Sequence, residues 1–237
     1  MKTKTIAKAI FLLFTFSLPG FLQAKNPDIT EPRTVSSFKA IKVSAGIDLF
    51  LEAGDSEKVT VSGDREDVGE IITEVKDGTL HIYRKGKFGF HFNFNNNCEV
   101  RVTARILEAL DASSGSEVKS EGTFKSTSFR VGASSGSEVQ LNLDCEKVSA
   151  DSSSGSEIKL TGKTSMFSVS VSSGSEIDAC DLSADIVNAD ASSGGEACVR
   201  ASSELHAHAS SGGEIDYEGK PQTVDVHKSS GGSVSGS

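Results

Sequence analysis

The sequence predicts an all-β fold, a single-stranded parallel β-helix built from coils of about 19 residues. Three observations predict it. The stretch "SSGSEV" at 113–118 recurs in related form six more times, the copies follow one another at a nearly constant interval, and apolar and polar residues alternate on both sides of each copy. A fixed period of this length is typical of stacked solenoid coils.

The glycine of each copy sets the interval. These glycines are separated by 21, 19, 19, 20, 18 and 19 residues, and they are Gly115, Gly136, Gly155, Gly174, Gly194, Gly212 and Gly231. Because one coil cannot bury its own apolar face, the unit has to be repeated. Equivalent residues of neighbouring coils then lie about 4.8 Å apart in ladders.

Three apolar columns flank the glycines. Five residues before them are Leu110, Val131, Ala150, Val169, Ala189, Ala207 and Val226. Seven before are Phe129, Val148, Phe167, Val187, Leu205 and Val224, and three after are Val118, Val139, Ile158, Ile177, Ala197, Ile215 and Val234. Since the positions between them are polar, each flank is a strand with one buried face, and the strands of successive coils are parallel. Small Ser and Gly residues form the corner between them.

The first part of the chain follows the same scheme less regularly. "SAGIDLFL" at 44–51 aligns with "SSGSEIKL", which places Gly46 under the motif glycine and Asp48 under the motif glutamate. "KVTVSGD", "GTLHIYRK" and "CEVRVTA" are further short strands. "GDREDVGEII" at 63–72 is predicted as a helical turn with Asp64 as its N-cap.

The organisation along the chain begins with a targeting segment. Lys2, Lys4 and Lys8 precede an apolar run that ends at "LQA" (22–24), which predicts a signal peptide over 1–24. A linker over 25–36 and one β-helix domain over 37–237 follow, with less regular coils at 37–105 and regular repeats at 106–237. We therefore expect an exported protein, located in a periplasm, at a cell surface or outside the cell.

The charge of the chain limits its partners. Its net charge is −9, and removal of residues 1–24, which carry three lysines and no acid, makes it −12. Nucleic acids and anionic membranes are bound through clustered Lys and Arg, so neither is an expected partner. No second long apolar run follows, and no membrane insertion is expected after cleavage.

Four segments together carry a family resemblance: "FKAIKVSAGIDLFLEAG", "VTVSGD", "GTLHIYRK" and "LEALDASSGSEV". They resemble the auto-transporter adhesin family with a head GIN domain, exported proteins of Bacteroidetes, over about residues 37–235. The resemblance implies a parallel β-helix with right-handed winding. It implies little about activity, and the partner that we expect is a surface glycan or protein, bound by the chain alone or as an oligomer.

Three groups of residues are candidate sites. A ladder of carboxylates could hold Ca²⁺ or face water as a solvated edge: Glu117, Glu138, Glu157, Glu176, Glu196 and Glu214. A two-by-two patch on one sheet could hold Zn²⁺ or Cu²⁺ or act as polar spacers: His206, His208, Asp225 and His227. A run of alternating phenylalanines is either core or an exposed binding patch: Phe88, Phe90, Phe92 and Phe94.

A catalytic function is the less favoured alternative. Pectin-degrading β-helix enzymes, lyases and hydrolases, use clustered Asp with Arg or Lys in a cleft, whereas the acids here are spread evenly along the repeats. No catalytic residue and no cofactor is predicted, since seven equivalent serines indicate a structural ladder. A single non-repeating acidic cluster beside an arginine in a cleft would favour an enzyme.

The four cysteines give no metal-ligand spacing. Cys180 and Cys198 lie on adjacent coils, offset by two residues, and are the best placed pair for a disulfide. Cys98 and Cys145 show no such relation, and all four are left unassigned. The sequence therefore favours an exported, non-catalytic module that displays a Ser/Gly/Glu-rich edge.

Overall fold

The structure is a computed structural model that describes residues 29–85 and 98–236. The predicted signal peptide and the phenylalanine run lie outside these residues. The N-terminal part contains strands β1 (Ile29–Arg33), β2 (Ala40–Val43), β3 (Asp48–Ala53), β4 (Lys58–Gly63), β5 (Ile71–Lys76), β6 (Thr79–Arg84) and β7 (Cys98–Ala104), with helix α1 (Arg65–Glu70) between β4 and β5.

The repeat region contains ten further strands: β8 (Ala109–Ala112), β9 (Glu117–Glu121), β10 (Phe124–Ser134), β11 (Glu138–Ser153), β12 (Glu157–Val171), β13 (Glu176–Ala191), β14 (Glu196–Ala209), β15 (Glu214–Gly219), β16 (Thr223–Lys228) and β17 (Ser233–Gly236). Strands one coil apart pair in parallel at an interval of about 19 residues. The molecule is a β-solenoid of about seven turns, which confirms the predicted fold class.

The strand register confirms the predicted columns. Val139 pairs with Ile158 and Ile158 with Ile177, while Phe167 pairs with Val148 on one side and Val187 on the other. Ile158, Ile177 and Phe167 are fully buried. The continuous apolar ladders inside the coil are therefore the core of the molecule, and burial of this surface is the main source of its stability.

The alignment of the N-terminal part is also confirmed. Ile41 pairs with Leu110 and Asp48 pairs with Glu117, as the match of "SAGIDLFL" to the repeat requires. The stacking order differs from the chain order, however, because β2 lies between β6 and β8, and β3 lies between β7 and β9. The coil formed by β2 and β3 therefore stacks directly on the first regular repeat.

The prediction of purely parallel strands is wrong at the N-terminal end. β4 pairs antiparallel with both β1 and β7, and β5 pairs antiparallel with β6. Asp77 and Gly78 both have positive φ between β5 and β6, and a turn of this kind reverses the chain at once. A hairpin needs no coil-length connection, so these strands lie outside the 19-residue period.

The segment predicted as a linker contains β1, and its contacts bind it to the domain. The Arg33 guanidinium donates a hydrogen bond of 2.8 Å to the carbonyl of Val68 in α1. The helix itself was predicted from the sequence, and its first turn is closed by the Val68 N–H donating to the Asp64 carbonyl at 2.9 Å. No helix within the described ranges is long and apolar enough to cross a membrane.

The last coil departs from the predicted core. Val224, expected in an apolar column, is 46% exposed, and Val226 and Val234 are only partly buried. They have the predicted register, since Val224 pairs with Leu205 and Val234 with Ile215. Among the described residues no further coil covers their other side, and a column residue is fully buried only between two coils.

Candidate functional site

Each SSGSE motif is a tight corner with two left-handed residues in succession. The serine before the motif glycine has φ between 48° and 59° in all seven copies, and the glycine has φ between 64° and 78°. In three copies the residue after the motif glycine donates its N–H to the carbonyl of the residue three positions earlier. Gly195 donates in this way to Ser192 at 2.9 Å. Two consecutive positive φ values closed in this way define a type I′ turn.

The corners are tied to one another along the stack. In five of the copies the N–H of the motif glycine donates to the carbonyl of the left-handed serine in the next coil, for example from Gly155 to Ser173 at 3.2 Å. The left-handed serines are exposed in every copy: Ser114, Ser135, Ser154, Ser173, Ser193, Ser211 and Ser230. Their hydroxyls therefore form a straight row along a rigid edge.

The serine after the glycine has a different role. Ser116, Ser137, Ser156 and Ser175 are buried, and each hydroxyl donates to the backbone carbonyl three residues earlier at 2.6–3.0 Å. This hydroxyl closes the corner from inside. Serine at this position is therefore structural, whereas the left-handed serine is available to a partner.

The carboxylate ladder is longer than predicted. Asp48 pairs with Glu117 on one side and with Glu99 on the other, so the row continues into the N-terminal coils. We call the complete set the carboxylate row: Glu99, Asp48, Glu117, Glu138, Glu157, Glu176, Glu196 and Glu214. Glu99 was missed because it lies outside the period, although "CEVRV" has the same alternation as "SEVKS".

Basic side chains accompany the first part of the row. Lys119 forms an ion pair with Glu117, and Arg101 forms one with Glu99. Lys159 contacts Asp178 at 2.7 Å. The positions two residues after Glu196 and Glu214 carry Cys198 and Asp216, so the C-terminal part of the row is the more acidic part of this edge.

Stacking changes the protonation of two carboxylates in the row. Burial, followed by the charges of Glu138 and Glu176, raises the pKa of Glu157 above its ordinary value, and Lys159 opposes this rise. The pKa of Asp48 is raised by burial and by Glu117. Repulsion between ladder neighbours is the expected result of placing like charges one coil apart.

The histidine patch has the predicted arrangement. His206 pairs with Asp225 and His208 pairs with His227 on adjacent strands. Asp225 lies 3.7 Å from one imidazole and 3.5 Å from the other, between His206 and His227. Within the described residues, no three His, Cys, Asp or Glu side chains are arranged to hold a metal ion.

The cysteines resolve into one bridge and two free thiols. Cys180 and Cys198 form a disulfide between adjacent coils, with Cα atoms 5.3 Å apart. The coil that starts at Gly174 is 20 residues long, and its extra residue forms a bulge after Ala179 that brings Cys180 alongside Cys198. Cys98 and Cys145 are buried and free, and burial raises the pKa of Cys98 to about 11.

A groove of about 570 Å³ crosses one sheet beside the corners. Its floor is a single hydrogen-bonded ladder, which we call the groove row: His81, Lys42, Asp111, Gly132, Asp151 and Ser170. Gly132 leaves a gap in this ladder because it has no side chain, and the Asp111 carboxylate lies over it, 2.6 Å from where a Cβ atom would be. The missing side chain at Gly132 is what forms the depression.

Charged groups meet above this gap. Arg130 contacts Asp111 at 3.3 Å and Asp151 at 3.6 Å, and Lys42 contacts Asp111 at 3.5 Å. This cluster was not predicted as a site. The signal in the sequence is the glycine four residues before Gly136, a position occupied by Asp, Ser or His in the other repeats.

These features define a class of protein: an elongated β-solenoid with a repeated polar edge and polar grooves on its sheets. The chain belongs to the family described as "Putative auto-transporter adhesin, head GIN domain", whose sequence profile matches residues 37–221. This match confirms the resemblance noted in the sequence. An adhesin family implies an exported or surface protein.

Solved structures share the fold. A putative adhesin from Bacteroides fragilis is 22% identical with a TM-score of 0.80, and the match covers 89% of this chain and 97% of that one. A putative adhesin from Parabacteroides distasonis is 23% identical with a TM-score of 0.72, covering 90% and 98%. A putative lipid binding protein from the same species is 23% identical with a TM-score of 0.66, covering 90% and 98%. No curated protein matches the chain.

Proposed function

We propose that the protein is an exported, non-catalytic binding module that presents its corner edge to a glycan or protein on a surface. The corner edge consists of the seven left-handed serines and the carboxylate row. The observation that carries the proposal is the left-handed conformation of an exposed serine in all seven motif copies.

Serine is an unfavourable choice for this position if the corner has only a structural role. A non-glycine residue in the left-handed region costs roughly 1 kcal/mol, and type I′ turns prefer Asn or Gly at their first central residue. The hydroxyls of the buried serines donate to backbone carbonyls, whereas the hydroxyls of these exposed serines make no such hydrogen bond in the described residues. Retaining serine seven times therefore favours a role for the exposed hydroxyls.

The carboxylate row lies on the same edge as the exposed serines and is a second reason to identify this edge as the binding surface. Its members repel one another at a spacing of about 4.8 Å, so the row adds little to stability. An array of acids beside an array of hydroxyls offers regularly spaced acceptors to a partner that carries hydroxyl or basic groups. The rigid backbone lattice of the corners holds this array in place, which reduces the backbone entropy lost on binding.

The disulfide supports export. Bridges such as Cys180–Cys198 form in oxidising compartments and are rare in a reducing cytosol. The basic and apolar N-terminal residues of the sequence agree with this location. The destination beyond the inner membrane, periplasm or cell surface, is part of the proposal and is tested by fractionation.

The test removes the hydroxyls and keeps the fold. Replacing Ser135, Ser154 and Ser173 by glycine together should leave the melting temperature unchanged or raised, because glycine adopts positive φ freely. The mature protein and this variant are compared on an array of surface glycans and purified extracellular-matrix proteins. We expect the wild type to bind at least one partner and the variant to lose that binding, whereas a blank array for the wild type would contradict the proposal.

A carbohydrate-active enzyme is the second candidate, and the groove favours it. Asp111 and Asp151 with Arg130 are the non-repeating acidic cluster beside an arginine that such an enzyme would require. Incubation of the protein with soluble polysaccharides and measurement of new reducing ends separates the two candidates. Turnover that is abolished by Asp111→Asn would establish the enzyme and exclude the non-catalytic module.

A further inference from the structure

The groove is a second surface, separate in its residues from the exposed serines of the corner edge. We infer that it binds an extended, neutral oligosaccharide. This oligosaccharide runs parallel to the solenoid axis and lies over the groove row. This inference goes beyond the proposed function, because it assigns a ligand class to residues outside the corner edge.

The length and direction of the groove favour a chain-like ligand. The groove row crosses six coils from His81 to Ser170, which corresponds to about 24 Å at a coil spacing of about 4.8 Å. The side chains that line it repeat at this interval. A linear ligand with a repeat of similar length can therefore make equivalent contacts in successive coils.

The charge balance favours a neutral ligand. Two basic groups, Lys42 and Arg130, face two acidic groups, Asp111 and Asp151, and they contact one another in the empty groove. An anionic or cationic ligand would have to compete with one member of this network for its partner. A neutral ligand can accept hydrogen bonds from the cations and donate to the carboxylates without separating them.

The remaining lining suits hydroxyl groups and one flat apolar face. Ser134, Ser153 and Ser172 line the side next to the corners and supply hydroxyls that both donate and accept. Tyr83 lines the end near His81, and its hydroxyl donates to Glu74 at 2.7 Å, which holds the ring in place. A sugar ring has polar edges and an apolar face, so it matches the serines, the charged groups and this aromatic ring together.

Gly132 is the residue that makes the site. The Arg130 side chain reaches over it towards Asp111, and a side chain at 132 would occupy the space between the two aspartates. Its φ is outside the positive region, so a β-branched residue is compatible with its strand. Gly132→Val therefore places methyl groups in the groove and displaces the Asp111 carboxylate, without a change of charge.

The experiment uses tetrasaccharides of glucose, xylose and mannose as neutral probes, and a galacturonate oligomer as the charged comparison. Binding to the mature chain is followed by calorimetry and by NMR of the Gly132 amide and the Arg130 side-chain N–H. We expect at least one neutral probe to shift both signals. Its Kd should rise about tenfold in Arg130→Gln, and Gly132→Val should remove binding.

Two controls separate this site from the rest of the molecule. Arg200→Gln removes an exposed arginine that pairs with Glu218 across adjacent coils outside the groove, and it should leave the Kd unchanged. The triple serine-to-glycine variant of the corner edge should also keep groove binding, so the two proposals can fail independently. Thermal melts confirm that each variant is folded.

Three outcomes would overturn the inference. The first is that no neutral probe shifts the Gly132 and Arg130 signals at concentrations up to about 10 mM. The second is binding that Arg130→Gln, the variant less disturbing to the fold, leaves unchanged. The third is tighter binding of the galacturonate oligomer than of every neutral probe, because the argument from charge balance would then be wrong.

Discussion

Serine occupies three kinds of position in the first four corners, and each has its own chemistry. The serine two residues before the motif glycine supplies the carbonyl that closes the turn, as Ser192 does for Gly195. The next serine is left-handed and exposed, and the one after the glycine is buried with its hydroxyl bonded to the backbone. A sequence repeat shows that all three recur, but only the backbone dihedrals and burial separate the exposed hydroxyl from the structural one.

The last three copies replace the buried serine by glycine. Cβ atoms at Gly195, Gly213 and Gly232 would lie within about 2.8 Å of the backbone of the preceding coil. The corners of these coils are therefore packed too closely for a side chain. The change from SSGSE to SSGGE in the sequence has a steric cause and indicates no loss of a functional residue.

The carboxylate row makes stability depend on pH. The pKa of Glu157 is raised above 4.5 in the folded state, so the folded protein binds a proton more readily than the unfolded chain. Stability therefore falls as pH rises through the window just above 4.5. Glu157→Gln should equal or exceed the wild type in stability at pH 7, by no more than about 1 kcal/mol after screening by solvent. The difference should disappear near pH 4, as measured by urea unfolding.

Glu146→Gln is the matched control, since it replaces an exposed glutamate outside the carboxylate row. Repeating the measurement with Ca²⁺ tests the cation hypothesis for the row. A Ca²⁺-dependent stabilisation of the wild type that Glu157→Gln removes would support a bound cation. A lower stability of Glu157→Gln without Ca²⁺ would contradict the repulsion argument.

At the scale of strands and turns, the parallel pairing of the regular repeats could be predicted from the sequence. The antiparallel pairing of the N-terminal strands could not. Parallel strands follow from the period, because residues such as Val139 and Ile158 occupy equivalent positions 19 apart. The hairpin strands β1, β4 and β5 carry no copy of the motif, so nothing in the period places them. Their alternation predicts strands, while the direction of pairing depends on tight turns such as Asp77–Gly78.

The coil of β12 contains a second glycine, Gly162, with stricter steric demands than the glycine of the SSGSE corner. Gly162 has φ +113°, and a Cβ atom there would clash with the carbonyl oxygen of Leu143 in the preceding coil. Gly155, in the SSGSE corner, has φ +67° and no atom within 4 Å of the same position. Gly162→Ala should therefore cost about 3 kcal/mol or more, and Gly155→Ala about 1 kcal/mol.

Urea unfolding of both glycine variants measures this difference. The two residues lie seven apart in one coil, so each variant serves as the control for the other. Equal losses of stability would show that positive φ alone sets the cost at both corners. A larger loss for Gly155→Ala would contradict the assignment of the tight contact to the Leu143 carbonyl.

At the scale of the whole molecule, the carboxylate row was predicted as a candidate site from the sequence and the groove was not. The carboxylate row repeats, so aligning the copies reveals it. The groove depends on a break in a repeat, and its charged residues come from neighbouring coils: Lys42, Asp111, Arg130 and Asp151. Their meeting depends on β2 stacking against β8 out of chain order, which no periodicity in the sequence indicates.

The stack is quasi-one-dimensional, so the effect of a core substitution should depend on its distance from the end. Ile158 is fully buried between Val139 and Ile177, whereas Val224 in the last coil is 46% exposed. Ile158→Asp places an unpaired carboxylate in an apolar ladder and should destabilise the domain by about 4 kcal/mol or more. Val224→Asp should cost less than about 1 kcal/mol, because the new charge remains in water.

Thermal melts and amide hydrogen exchange distinguish these two effects. Because each coil contacts only its neighbours, Ile158→Asp should remove protection first in β11, β12 and β13, and Val224→Asp should affect only β16 and the strands beside it. Val224→Thr provides a nearly isosteric control without charge. If Val224→Asp destabilised the whole molecule as strongly as Ile158→Asp, the last coil would be covered in solution, and the open end of the described stack would be a contact surface.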